Sequence, residues 1–237
     1  MTKLSVNINK LATLRNSRGA NMPNLLKSTA DIESYGGQGI TIHPRPDERH
    51  IRYKDAYELK DIVTTEFNIE GNPIPKFIEM VLAIKPTQVT LVPDAEDAIT
   101  SNAGWDTVKH KDFLIDVINT FKENNIRTSI FVDPNIKIIE GAAQTGADRI
   151  ELYTESFAQS FLKGDKKGII PFTEAAKAAH ELKLGINAGH DLSLDNIKFF
   201  KENIPNLLEV SIGHALICES LYFGLENVIN MYLHRLS

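Results

Sequence analysis

Eight short runs rich in β-branched residues recur along the chain, each followed by a longer stretch of helical spacing, and this alternation constrains the fold more than any other feature. The runs are Leu4 to Ile8, Gly39 to Ile42, Glu66 to Ile69, Gln88 to Val92, Arg127 to Val132, Arg149 to Leu152, Leu184 to Asn187 and Glu209 to Ile212. Between them, residues 24–35, 54–64, 74–84, 110–124, 135–145, 172–182, 193–202 and 219–235 carry apolar residues at i, i+3, i+4, as in Phe113, Val117, Ile118 and Phe121. Asn124-Asn125, Gly146 and Lys85-Pro86 are breakers placed to end three of these helices. A strand–helix alternation builds a parallel sheet covered by helices, and eight units in 237 residues is the size of a (β/α)₈ TIM barrel. An open doubly wound sheet would advertise a Gly-rich turn after its first strand, and "VNINKLATLRN" has none. The sequence predicts an α/β chain, a (β/α)₈ TIM barrel over residues 1–237 as one domain with a few extra helical insertions.

Charge narrows the partners. A formal charge of −5 argues against a nucleic-acid groove or an anionic membrane face, both of which need a basic surface. Cys218 is alone and cannot form an internal disulfide, and no apolar stretch approaches the 18 or so residues of a spanning helix, so a cytoplasmic protein is expected. Two connections are longer than a barrel needs, "PDAEDAITSNAGWD" (93–106) and "ESFAQSFLKGDKKGIIP" (155–171); both follow strand C-termini and are lid candidates.

In such barrels the strand C-termini and the loops after them build the active site. The first run delivers Asn7 and Asn9, two apart and so on one face; the second delivers His43 with Arg45 beyond; the third puts Asn68 and Glu70 on one face. Asp133 ends the fifth and suits a helix cap ahead of Pro134, Glu151 lies in the sixth, "INAGH" leads to His190, and "SIGHA" to Gly213 and His214. A lone histidine is more often structural than catalytic, and His110, His180 and His234 on helices are read that way. Convergence of His43, Glu70, Glu151, His190 and His214 on one barrel end points instead to chemistry. Desolvation raises a carboxyl pKa toward the range useful for proton transfer, and histidines titrate near neutrality. Gly189-His190 and Gly213-His214 suit a phosphate at a helix N-terminus, and Arg45 and His50 with Arg15 and Arg18 suit a second. No P-loop, dinucleotide fingerprint, C-x-x-C pair or H-E-x-x-H helix occurs, so nucleotide, NAD and structural zinc readings have little support; a catalytic metal on the three histidines and two glutamates stays open.

Seven blocks, "VNINKLATLRNSRG", "GITIHPRPDERHI", "FNIEGN", "VTLVPD", "GADRIELYT", "INAGHDL" and "VSIGHALI", resemble in order the pyridoxine 5′-phosphate synthase family of vitamin B6 biosynthesis. The resemblance implies condensation of 1-deoxy-D-xylulose 5-phosphate with 3-amino-2-oxopropyl phosphate, releasing phosphate and water, without cofactor or metal, in a homo-octamer. By this resemblance His43 and Glu70 match proton acceptors, His190 a proton donor and Glu151 a stabiliser of transition-state charge. Asn7, Arg18, Gly213 and His214 match positions holding the amino-ketone phosphate; Arg45, His50 and Thr100 match those holding the deoxyxylulose phosphate. Many members have Asp-His where this chain has Asn9-Lys10, and Gly where it has Asp191; Asn9, Lys10 and Asp191 are still expected to contact substrate. The C-terminal "SLYFGLENVINMYLHRL" is amphipathic and is expected to pack on its own barrel.

Overall fold

All eight expected runs form strands, and they pair in parallel in chain order with the last returning to the first. The computed structural model describes residues 1–94 and 103–237. The strands are β1 (Lys3–Asn7), β2 (Gly39–Ile42), β3 (Glu66–Gly71), β4 (Gln88–Leu91), β5 (Arg127–Val132), β6 (Arg149–Tyr153), β7 (Gly185–His190) and β8 (Leu207–Ile212), closed into a (β/α)₈ TIM barrel. Around them lie α1 (Asn9–Asn16), α2 (Leu25–Ser34), α3 (Tyr53–Leu59), α4 (Pro75–Ile84), α5 (Lys111–Glu123), α6 (Ile136–Gln144), α7 (Glu155–Leu162), α8 (Ile170–Glu181), α9 (Ile197–Asn203), α10 (His214–Phe223) and α11 (Leu225–Leu236). Among the described residues no helix is long and apolar enough to cross a membrane.

Alternation along each strand sends one set of side chains out to the helices. Ile40 and Ile42, Phe67 and Ile69, Val89 and Leu91, Ile130 and Val132, and Val210 and Ile212 are all buried there, under faces such as Phe77, Val81 and Ile84 of α4. This shell supplies the hydrophobic free energy of the fold.

The inward set is polar. Where most barrels fill the interior with branched apolar residues, this one has Ser5, Thr41, Asn68, Thr90, Ser129, Glu151, Asn187 and Ser211, all buried. A hydrogen-bonded chain runs across the strands: Ser5 Oγ to Thr41 Oγ1 at 2.7 Å, Asn68 Nδ2 to Thr41 Oγ1 at 3.4 Å, and Thr90 Oγ1 to Asn68 Oδ1 at 3.0 Å. Charged side chains plug the N-terminal end of the barrel. Glu66 bridges Lys3 and Arg127, Arg127 Nε donates to Gln88 at 2.8 Å, and Arg149 lies 3.7 Å from Glu209. Burial works against the Glu66 carboxylate, yet hydrogen bonds from Lys3 and Arg127 hold its pKa down to about 2.

The expected breakers act as read: Lys85, Asn125 and Gly146 take left-handed φ of 55°, 60° and 81° after α4, α5 and α6. Other expectations are corrected. Helix α1 forms where no helix was expected, so Asn9, read as delivered by the first strand, is the first residue of a helix and not part of β1. Phe113 does not belong to the buried stripe of α5; Leu114 takes its place, and Phe113 lies half-exposed against Trp105, ring centroids 5.9 Å apart. Asp133 caps no helix: Asn135 caps α6 by accepting from the Lys137 N–H, and Asp133 accepts from Gly104 N–H at 3.1 Å. The 155–171 connection is helical, formed by α7, a 3₁₀ turn at Lys166–Ile169 and the start of α8. Most of the 93–106 connection lies outside the described residues. The single helix expected over 219–235 is divided at Gly224 (φ 81°) into α10 and α11. Val228, Ile229, Tyr232 and Leu236 bury α11 on its own barrel as expected, whereas Leu221, Tyr222 and Phe223 at the end of α10 are exposed.

Helix α7 is held by Phe157, whose ring lies 5.1 Å from Phe200, 6.1 Å from Phe172 and 5.6 Å from Phe161. Removing a buried phenyl ring leaves a cavity and costs about 3–5 kcal/mol. We expect Phe157→Ala to lower the thermal midpoint by several degrees in calorimetry, while the residual folded protein keeps its ligand affinity.

Candidate active site

Backbone anchoring comes first, because His43 follows the last residue of β2 and needs support. The Asn7 side chain accepts from the Asn9 N–H at 3.0 Å, and the Asn9 side chain in turn accepts from the His43 N–H at 3.0 Å. The segment beyond is fixed by Arg15, which is buried on α1. Its guanidinium donates to both Asp55 oxygens at 2.7 and 2.8 Å and to the His50 carbonyl at 3.2 Å. A bidentate pair of this kind sets geometry as well as charge. Arg15 is therefore a scaffold for the His50 segment and not the phosphate holder that the sequence suggested.

One cavity of about 580 Å³ opens at the C-terminal mouth. His43, Glu70, Glu151 and His190 line it together with Asn7, Asn9 and Lys10 from the first strand–helix unit. Arg45, Arg49 and His50 line it from the second, and Asp191, Gly213 and His214 from the last two.

Burial decides the protonation of the central groups. Desolvation pushes Glu70 up to about 8, and the neighbouring Asp94 carboxylate adds to the shift. Glu151, deeper in the barrel, is raised well above the carboxylate range by burial and then by Glu70. His43 is held well below its ordinary value by burial and by the Arg45 charge. The same two causes bring His50 down to about 4. At neutral pH the site thus pairs a neutral imidazole with a protonated carboxyl. His43 Nδ1 stands 3.8 Å from Glu70 Oε2, and Nε2 stands 3.8 Å from Asp94 Oδ2; both exceed hydrogen-bond length, and with a neutral ring neither is an ion pair. His50 Nδ1 accepts from the Ile51 N–H at 2.9 Å, which leaves Nε2 as its donor.

Across the cavity, His190 has φ 92°, a left-handed backbone that costs a non-glycine residue energy and is characteristic of functional positions. Its ring is packed edge-on against Tyr153, centroids 5.2 Å apart, with Phe131 at 6.0 Å and Asp191 Oδ2 3.4 Å from Nδ1. Gly189, the penultimate residue of strand β7, serves space rather than a helix terminus. A Cβ there would lie 2.3 Å from Glu151 Oε1, and α9 begins only at Ile197. Gly213 fits the anion reading better: it directly precedes α10, and a Cβ would press on the Asn7 side chain at 3.1–3.3 Å.

The family model described as "Pyridoxal phosphate biosynthesis protein PdxJ" matches residues 4–237. The chain belongs to the PdxJ family. Among curated relatives, pyridoxine 5′-phosphate synthase of Flavobacterium johnsoniae is 70% identical over 236 residues, covering 100% of both chains. That of Christiangramia forsetii is 69% identical with the same coverage. Solved structures extend the fold: N-(5′-phosphoribosyl)anthranilate isomerase from Pyrococcus furiosus superposes with a TM-score of 0.65 at 10% identity, covering 100% of this chain and 98% of that one. Thiamine phosphate pyrophosphorylase from the same organism gives 0.63 at 12%, covering 100% and 97%. The chain is an enzyme of the PdxJ family on a TIM barrel.

Against the sequence reading, the mouth of this PdxJ barrel brings together Asn7, Asn9, Lys10, His43, Arg45, His50, Glu70, Glu151, His190, Asp191, Gly213 and His214. Arg18 is exposed beyond α1 and lines no part of the cavity. Thr100 lies outside the described residues. The possible metal site finds no support in placement: among the described residues no three His, Cys, Asp or Glu side chains are grouped to share an ion. Sequence reasoning missed Asp94, Phe131 and Tyr153. Asp94 falls two residues after a strand-end valine, and strand alternation puts Phe131 in step with Ser129, and Tyr153 in step with Glu151; those signals were there to be read.

Because Glu70 holds its proton up to about pH 8 in the folded state and loses it near its ordinary value when unfolded, the sign follows. Below the unfolded pKa both states are protonated and nothing is lost; as pH rises to about 8 the unfolded chain sheds a proton that the folded one keeps, and stability falls. Glutamine cannot titrate, so we expect the thermal midpoint of Glu70→Gln relative to wild type to grow more positive from pH 5 to pH 8. A flat difference across that range would show that Glu70 titrates normally.

Proposed function

We propose that this PdxJ-family enzyme is a pyridoxine 5′-phosphate synthase, joining 1-deoxy-D-xylulose 5-phosphate to 3-amino-2-oxopropyl phosphate with release of inorganic phosphate and water. The names of its full-length relatives support the product. The observation that carries the chemistry is the facing pair of neutral His43 and protonated Glu70 inside a cavity with cations at its rim.

Because one substrate brings its own amine, the protein is left with proton transfer, elimination and ring closure. Neutral His43 is ready to accept a proton from carbon. Glu70 first gives up its proton, to a departing hydroxyl or to the imidazole, and then serves as a second acceptor. His190, clamped by Tyr153, delivers a proton from the opposite wall. Glu151, neutral beneath the floor of the cavity, donates a hydrogen bond to charge that develops above it. Arg45 and the Nε2–H of His50 hold the phosphosugar phosphate, with Thr100 adding a hydroxyl; Lys10 stands nearby on α1. Asn7, Gly213 and His214 hold the second phosphate at the start of α10, and Arg18 reaches this phosphate in its own or a neighbouring subunit. Asn9 acts through His43, whose backbone it holds, and Asp191 acts through His190.

We further propose a cytoplasmic homo-octamer that takes the two phosphorylated small molecules, with neither nucleic acid nor membrane as a partner. The exposed Leu221, Tyr222 and Phe223 support association, since an apolar knob of this kind is costly to leave in water. Light scattering is expected to give a mass of eight subunits, reduced by Tyr222→Asp; a monomeric wild type would contradict the assembly.

Mixing purified enzyme with both substrates is expected to yield a pyridine chromophore and one inorganic phosphate per turnover. Glu70→Gln should reduce the rate by about 10²-fold or more, in line with loss of a positioned acid–base group. Turnover by Glu70→Gln at the wild-type rate would remove Glu70 from the mechanism.

A further inference from the structure

We propose that Asp94 is a positioning residue that couples occupancy of the Arg45 anion site to the orientation of His43. The inference rests on the function proposed above for this cavity. One atom stands between the two groups: Asp94 Oδ2 accepts from Arg45 Nη2 at 2.7 Å and lies 3.8 Å from His43 Nε2. The main chain there is pinned, since Asn72 Nδ2 donates to the Asp94 carbonyl at 2.8 Å and the Val92 N–H donates to the Gly71 carbonyl at 3.0 Å. The backbone at Asp94 is thus tied to the ends of β3 and β4.

Asp94, Arg45 and His43 are all buried. A buried carboxylate keeps a partner at considerable cost to any alternative. A phosphate arriving on Arg45 competes with Asp94 for the same guanidinium, and two anions on one buried cation repel. A shift of about 1 Å brings Oδ2 within hydrogen-bond length of His43 Nε2. A carboxylate on Nε2–H fixes the tautomer, so that the basic nitrogen is Nδ1, which faces Glu70. The charged and titratable groups around His43 are Glu70 on β3, Asp94 after β4, Arg45, Arg49 and His50 after β2, and His190 on β7. Of these, Asp94 is hydrogen-bonded to Arg45 and lies 3.8 Å from the far nitrogen of His43. Substrate phosphate thus turns His43 into an oriented base by displacing the carboxylate that pairs with Arg45.

Asp94→Asn preserves shape and the bond from Asn72 but removes the charge. The expected result is a kcat lowered by about 10- to 100-fold with the KM for the phosphosugar unchanged or lower, because the competing anion has gone. Asp94→Glu restores the charge and is expected to recover part of that kcat. A merely structural role would misplace Arg45 and raise KM, and a raised KM, or no change in kcat, overturns the proposal. If the wild-type enzyme makes no pyridine, it is the functional reading that fails, and the coupling is then judged by binding. In wild type labelled with ¹⁵N-histidine, titration with inorganic phosphate is expected to move the His43 Nε2 resonance, and Asp94→Asn should abolish the movement. A wild-type His43 signal that stays in place up to saturating phosphate overturns the coupling by itself.

Discussion

Three carboxyl groups, Glu70, Glu151 and Glu209, are enclosed within one ring of eight strands, and their desolvation organises the molecule. Glu209 at the N-terminal end rises to about 7 through burial and proximity to Glu66, even with Arg149 opposing. Glu151 and Glu70 stand successively nearer the mouth and are raised in turn, each burdened by burial and by its neighbours. An apolar lining of the kind usual in barrels would leave such acids without hydrogen-bond partners. Here the serines, threonines and asparagines of the interior provide a polar environment, and the apolar shell outside the sheet supplies the cohesion that the interior does not.

The two ends of the barrel handle charge in opposite ways. At the N-terminal end acids and bases alternate: Glu66 meets Lys3 and Arg127, and Glu209 approaches Arg149. Charge is neutralised and the end is shut. At the mouth, His43 stands just out of contact with both Glu70 and Asp94 while Asp94 pairs with Arg45, and cationic groups are carried on the segment after β2, whose backbone is tied to α1 by Arg15, Asn16 and Asp55. Reactivity follows from that separation, because groups that have not neutralised each other remain able to exchange protons with a bound molecule.

Much of this was legible in the residues. Period-two alternation placed Asn68 and Glu70 inward and Phe67 and Ile69 outward, and strand ends located His43, His190 and Gly213. What escaped was encoded in partners rather than in pattern. Helix α1 shows no apolar stripe because its buried face includes Arg15, which a hydropathy reading counts as surface; only Asp55, forty residues on, makes it a core residue. Asn9 looked like a strand-end ligand, yet its side chain spends itself on the His43 backbone. Asp94 escaped because it sits where a strand gives way to a long connection, and the Arg45 and His43 side chains it faces come from another strand's end and loop.

Gly189 shows how indirectly such a site can be lost. The side-chain oxygen of Glu151 occupies the volume where any other residue at 189 would place its first carbon. A single added methyl group on β7 would force the carboxyl of an acid belonging to β6 to shift, leaving every polar group of the cavity chemically intact. The placement of an acid in the cavity thus depends on a position that carries no functional group at all.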